Sequence, residues 1–211
     1  MMNWGIWNRE RMRRGYPGAV VEQKRADALA GRSTSDVWVD CPDAPDVWQA
    51  GLDEVADLLS FYPHPNVTSF AFERISYVSS DFCYCPYTQA QYRQEMGKSL
   101  LDAAAAQIET WKKQHISQYL QRYVEHVKRL RPKLGVWLHT QCAPGWGHDP
   151  KRMQECGVDY LLPHAFHFQQ SQAQFNQMLE RLSPNKCVLH FSSRDLRPKN
   201  YPLWIISQEA E

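Results

Sequence analysis

The sequence lacks several features that would assign it to a common class. Lys and Arg number 24 against 23 Asp and Glu among 211 residues, so no basic excess is present to neutralise nucleic-acid phosphates. No apolar run approaches the roughly 20 residues of a membrane helix, and residues 1–14 lack the apolar core of a secretory signal. Six cysteines are too thinly spread for a disulfide-stapled domain. We expect a soluble chain with reduced thiols, no nucleic-acid or membrane partner, and no signal peptide in the sequence as given.

Segments with strand character alternate with helical segments along the whole chain. This alternation is typical of βα units and a parallel sheet, and no linker separates two domains, so we predict one α/β domain over residues 1–211. The predicted strands are residues 3–7, 67–73, 134–139, 160–164, 187–191 and 203–206. The predicted helices are residues 47–60, 89–96, 100–131, 150–156 and 172–182. A closed barrel needs eight strands, and only six are predicted here. We therefore predict a partial (β/α)8-type TIM barrel of about six βα units, and we expect its first two strands and its last helix to be absent.

The segment VTSFAFERISY at residues 67–77 is the best candidate for a site-bearing strand. Phe70 and Phe72 alternate with Ser69, Ala71 and Glu73, which predicts a bulky side facing helices and a small side facing a barrel interior. Glu73 then ends the strand at the C-terminal mouth, where such barrels carry out their chemistry. A solvated Glu-Arg pair at a strand end is the alternative.

Aromatic residues are abundant, with 8 Trp and 10 Tyr, and several lie in segments that read as loops. Trp146 is one of them. An exposed aromatic face suits stacking on a sugar ring, whereas packing in the core is the commoner use of such residues. The composition therefore permits a carbohydrate ligand, with Trp146 as a candidate contact.

Three segments resemble the glycosyl-hydrolase-like TIM barrels, the group described as family-10-like glycosyl hydrolases. WVDCPDAPDV at residues 38–47 is similar to the family's entry into the third barrel helix, with Cys41 where proline is usual. Residues 67–77 are similar to its fourth strand, with Glu73 in place of a terminal Asp. FCYCPYT at residues 82–88 is similar to a C-Y-C-x-x-C insertion of some members, with Thr88 in place of the last cysteine.

The resemblance implies a glycoside hydrolase-like protein that acts on or binds a polysaccharide. Glycoside hydrolysis needs two carboxyl groups flanking the scissile bond, and the resemblance favours Glu73 as the acid or base. Asp195 is the candidate partner, with Asp81 and Asp40 as other options. Arg74 is interpreted as an orienting residue, because a nearby cation favours the ionised carboxylate. A non-catalytic carbohydrate-binding or structural barrel remnant is the alternative function.

Three histidines end successive predicted strands: His139, His164 and His190. A barrel would bring them to one mouth, where imidazoles can line a polar substrate site or hold a catalytic zinc ion. The zinc interpretation gives a third alternative, a metal-dependent hydrolase. The leading interpretation assigns no metal and no cofactor, and it gives the histidines substrate-binding roles.

Two further expectations concern the cysteines and the barrel edges. The Cys83-x-Cys85 pair could join a zinc site with Cys142 or His148, although buried structural thiols are the default. An incomplete barrel leaves two open sheet edges and exposed apolar surface, which favours association. We therefore expect the chain either to form a homodimer through residues 3–7 and 203–206 or to be poorly soluble alone, with residues 1–36 folded back over the gap as the alternative.

Overall fold

The structure is a computed structural model that describes residues 2–5, 23–32, 41–63, 67–73, 75–140 and 146–163. Within them, four strands form one parallel sheet in the order β1-β2-β3-β4. The strands are β1 Met2–Gly5, β2 Ser69–Glu73, β3 Gly135–Thr140 and β4 Tyr160–Pro163. Because sequence order and spatial order agree, each strand lies beside the strand that follows it in the chain, as in consecutive βα units.

Five helices accompany the sheet in the described ranges. They are α1 Arg25–Leu29, α2 Pro45–Phe61, α3 Pro86–Met96, α4 Ala105–Leu130 and α5 Pro150–Glu155. Proline begins α2, α3 and α5, where its missing N–H costs no intrahelical hydrogen bond. Gly97 ends α3 in the left-handed region at φ 69°, which a residue without Cβ adopts readily. None of these helices combines the length and apolar character needed to cross a bilayer.

The two faces of β2 differ as the alternation predicts. Phe70 and Phe72 are fully buried, and the Phe72 ring lies 5.6 Å from the ring of Tyr123 in α4. The bulky side of β2 therefore packs against the helical layer, which confirms that part of the prediction. Ser69 and Ala71 occupy the alternate positions and are also buried.

The α/β class and the parallel sheet are confirmed, and four of the predicted strands form within about two residues of their expected bounds. Strands 187–191 and 203–206 and the helix 172–182 lie outside the described residues. The helix predicted from residue 100 was placed too early, since α4 begins at Ala105. The Ser99 hydroxyl accepts a hydrogen bond from the Leu101 N–H (3.2 Å), and the Leu100 carbonyl accepts one from Ala103 (3.3 Å). Side-chain and turn bonds of this kind compete with helix initiation.

Candidate functional site

Glu73 is the last residue of β2, the strand between β1 and β3. Its backbone pairs with Gly5, and its side chain lies outside the described residues. His139 lies near the end of the neighbouring strand β3, is buried, and pairs with Leu162 of β4. Since Phe72 pairs with Leu138, Glu73 and His139 occupy the next positions along adjacent strands. Glu73 and the buried His139 therefore occupy neighbouring positions at the C-terminal edge of the sheet.

The other predicted site residues are only partly described. Trp146 is half-buried, and its carbonyl accepts a hydrogen bond of 3.1 Å from the Tyr77 N–H, which joins the loops that follow β2 and β3. Asp81 is exposed, and its carbonyl accepts a hydrogen bond from Arg25 at the start of α1. Five predicted residues lie outside the described ranges: Asp40, Arg74, His164, His190 and Asp195. The convergence of the three histidines and the pairing of Glu73 with Asp195 stay predictions.

Three cysteines meet beside the loop that follows β2. The β2–α3 loop spans residues 75–85, and it supplies Cys83 and Cys85; Cys41 comes from the turn before α2. The three Sγ atoms lie within 4.8 Å of one another, and each residue is at most 1 % exposed. The Sγ atoms of Cys41 and Cys85 are 3.3 Å apart. This cysteine cluster joins two segments that are about 40 residues apart in sequence.

Polar hydrogens point at the sulphur atoms of the cysteine cluster. The Cys83 Sγ accepts backbone N–H bonds from Gln23 (3.3 Å) and Cys85 (3.4 Å). Hydrogen bonds with Cys41, then with Cys83 and Thr88, lower the pKa of Cys85 to about 3. Cys85 also occupies the N-cap position of α3, where the helix dipole favours a thiolate. Burial raises the pKa of Cys41, which makes Cys85 the most readily ionised thiol of this pair.

A buried carboxylate adjoins the cysteine cluster. The Thr88 Oγ1 lies 3.3 Å from the Sγ of Cys41 and 3.4 Å from that of Cys85, and it donates to Asp43 Oδ2 at 2.5 Å. Asp43 also accepts from the Tyr77 hydroxyl at 3.0 Å and contacts His115 Nδ1 at 3.2 Å. Its side chain is completely buried, so these contacts replace the hydration that the carboxylate loses.

His115 bridges Asp43 to Glu95. Its Nε2 lies 3.0 Å from both carboxylate oxygens of Glu95, and its ring stacks on Trp111 with the centroids 4.0 Å apart. Burial opposes protonation, but the hydrogen bond and charge of Asp43 and then of Glu95 outweigh it, so the pKa of His115 is raised. An imidazolium between two carboxylates balances the negative charge buried at Asp43.

Lys112 holds the β2–α3 loop from the side of α4. The residue is 1 % exposed, and its Nζ donates to the carbonyls of Ser80 (3.1 Å) and Phe82. The same ammonium lies 5.1 Å from the ring centroid of Tyr77 and 5.6 Å from that of Tyr84. Backbone carbonyls and aromatic faces together replace its water shell. The buried ammonium group of Lys112 therefore holds the β2–α3 loop against α4.

The structure corrects one expected cysteine partner and adds another. His148 is not joined to the Cys83-x-Cys85 pair: its Nε2 lies 2.8 Å from the Ile75 carbonyl, and its Nδ1 lies 3.2 Å from the Thr140 hydroxyl. Cys142 lies outside the described residues. The third sulphur comes from Cys41, which sequence reasoning missed. A signal was available, because Cys41 and Thr88 are both departures from the family's patterns, and they lie in contact.

Comparison with known proteins identifies the family of the chain. The family model described as glycosyl hydrolase-like 10 matches residues 9–183. Among curated proteins, none matches the chain. The family match spans well over half of the sequence and includes the described sheet from β2 to β4. The chain therefore belongs to the glycosyl hydrolase-like 10 family.

Proposed function

We propose that this protein acts on or binds a polysaccharide at the C-terminal mouth of a partial (β/α)8-type barrel, with Glu73 as its acid or base. One observation carries the proposal: in a glycosyl hydrolase-like chain, Glu73 ends a strand that lies between two parallel neighbours. Chemistry in parallel barrels takes place at that edge of the sheet. The six predicted strands and the parallel order of the first four support the barrel architecture.

The surroundings of Glu73 support a fixed site at this edge. The described part of the β2–α3 loop, residues 75–85, is held by Lys112, Asp43 and the Trp146 carbonyl. A catalytic group is effective only when the backbone that carries it is held in place. The neighbouring β3 brings His139 to the same edge, as a hydrogen-bonding group for a sugar hydroxyl.

The proposed chemistry needs a second carboxyl group, for which Asp195 is the candidate. The distance between two such groups decides whether the anomeric configuration is retained, at about 5 to 5.5 Å, or inverted, at about 6.5 to 9.5 Å. Arg74 would orient Glu73, while His139, His164, His190 and Trp146 would contact the sugar. Asp81 is a weaker partner than Asp195, because it lies on the exposed side of the loop and its carbonyl is bonded to α1.

The test is a panel of insoluble and soluble polysaccharides, assayed in parallel for binding by the full chain and for release of reducing ends. Release from at least one polysaccharide supports a hydrolase. Binding without release supports the non-catalytic alternative, and neither activity on any member contradicts the proposal. Release that survives Glu73→Gln but is lost in His139→Gln would favour the metal-dependent alternative instead.

A further inference from the structure

We propose that Cys41, Cys83 and Cys85 bind one zinc ion, which fastens the β2–α3 loop to the turn before α2. This site is separate from the proposed sugar site. It would be structural, because all three sulphurs are buried and belong to segments that lie beside the sheet rather than within it.

The spacing of the three sulphur atoms is the first reason to propose a zinc site. Zinc binds thiolates tetrahedrally at about 2.3 Å, which requires sulphurs about 3.8 Å apart. The three Sγ atoms lie within 4.8 Å of one another, and those of Cys41 and Cys85 are 3.3 Å apart. The Cys41–Cys85 separation would have to widen by about 0.5 Å to hold the ion, a change of the size that rotation about a Cα–Cβ bond produces.

The hydrogen bonds to the sulphur atoms are the second reason, because they stabilise thiolates. Two backbone N–H groups converge on the Cys83 Sγ, and Cys85 lies at the N-terminus of the eleven-residue helix α3. Both features stabilise a thiolate more than a thiol. Such N–H to sulphur bonds commonly orient and stabilise thiolates that ligate a metal. A zinc ion would compensate the charge of three buried thiolates, which would otherwise repel one another in a dry interior.

A polar group beside two of the sulphurs is the candidate for the fourth position. The Thr88 Oγ1 lies within 3.4 Å of two of the sulphurs and is oriented by its bond to Asp43. Three thiolates and one oxygen suit zinc, whereas Mg²⁺ and Ca²⁺ prefer all-oxygen sets. The fully buried Asp43, bonded to Thr88, acts as the outer partner that fixes the fourth group.

A disulfide is the rival use of the same residues. The Sγ atoms of Cys41 and Cys85 are closer to each other than two sulphurs bound to one zinc ion. Their separation of 3.3 Å is nevertheless well beyond the roughly 2.05 Å of a disulfide bond. Oxidation of that pair would consume two of the three ligands and leave Cys83 alone. A zinc site and a disulfide therefore make opposite predictions for thiol count and metal content.

The first experiment measures metal in the full chain, expressed with added Zn²⁺ and purified without chelators. We expect about one zinc ion per chain, and all six thiols to react once the ion is stripped and the protein is unfolded. Cys83→Ser and Cys85→Ser should each lose most of the zinc. Cys156→Ser is the matched control, because this half-buried thiol donates to the Ser117 carbonyl outside the cysteine cluster; it should retain the ion.

The second experiment remains decisive if the serine variants fail to fold. Co²⁺ loaded into the wild type should give a thiolate charge-transfer band and the visible bands of tetrahedral cobalt. Thr88→Cys places a fourth sulphur where the hydroxyl lies, so the charge-transfer intensity should rise by about a third. Wild-type protein without stoichiometric zinc, a Cys41–Cys85 disulfide, zinc retained by the Cys83→Ser/Cys85→Ser double variant, or a cobalt spectrum without thiolate bands would each overturn the proposal.

Discussion

Replacing Lys112 with methionine should destabilise the protein by removing the cation that holds the β2–α3 loop. Methionine keeps most of the buried aliphatic volume, but it cannot donate to the carbonyls of Ser80 and Phe82. Leaving a buried acceptor unsatisfied costs about 1–3 kcal/mol each. Phe82 is buried, whereas Ser80 is exposed and water can replace its donor; one such acceptor, offset in part by the lower desolvation cost of methionine, gives an expected loss of about 1–3 kcal/mol in the free energy of unfolding.

Lys113→Met is the matched control, one residue along the same helix. The Lys113 side chain is 37 % exposed and pairs with Glu109 at 3.2 Å, an i, i+4 pair whose loss costs about 0.3–0.5 kcal/mol. Urea unfolding compares the two variants, and hydrogen exchange should show lost protection within residues 75–85 for Lys112→Met alone. Equal urea midpoints for the two variants would refute the reasoning.

Three further predictions follow from the buried network and the sheet. Tyr77→Phe removes a hydrogen bond to the buried Asp43 carboxylate and should cost about 1.5–3 kcal/mol of unfolding free energy, whereas the exposed Tyr87→Phe should change it little; equal losses would contradict this role. The raised pKa of His115 implies stability that is present below about pH 6.5 and lost as pH rises through the folded-state pKa. The difference in unfolding free energy between wild type and His115→Gln should therefore shrink from pH 6 to alkaline pH, and a difference that grows would contradict the ion pairs. If the barrel is open at its edges, light scattering should give a dimer, and a monomer over a tenfold concentration range would count against the open barrel.

The sequence was sufficient for the four described strands and for most of the longer helices because their signals are local. Alternation in residues 67–73 located β2 and the face that carries Phe70 and Phe72. The start of α4 was misplaced by five residues, because Ser99 bonds the backbone in a way that composition does not reveal. Helix α1 was not predicted at all: it is five residues long, too short for a 3.6-residue periodicity to show.

The buried network was harder to predict because its members are distant in sequence. Asp43 and His115 are 72 residues apart, and nothing in either segment indicates the other. From the sequence, Lys112 would be assigned to the polar face of an amphipathic helix, because a charged residue is rarely fully buried. Cys41 and Thr88 carried a weak signal as departures from the family's patterns, but only their contact in the fold explains why both matter.

The role of Glu73 is tested most directly by turnover and binding measured on the same polysaccharide. The comparison is between wild type, Glu73→Gln, and Glu125→Gln, an exposed glutamate of α4 that accepts a hydrogen bond from Gln121. Loss of a general acid or base lowers turnover by about 100-fold or more. The account predicts such a loss in Glu73→Gln with binding retained, and wild-type turnover in Glu125→Gln. Full turnover in Glu73→Gln would contradict it.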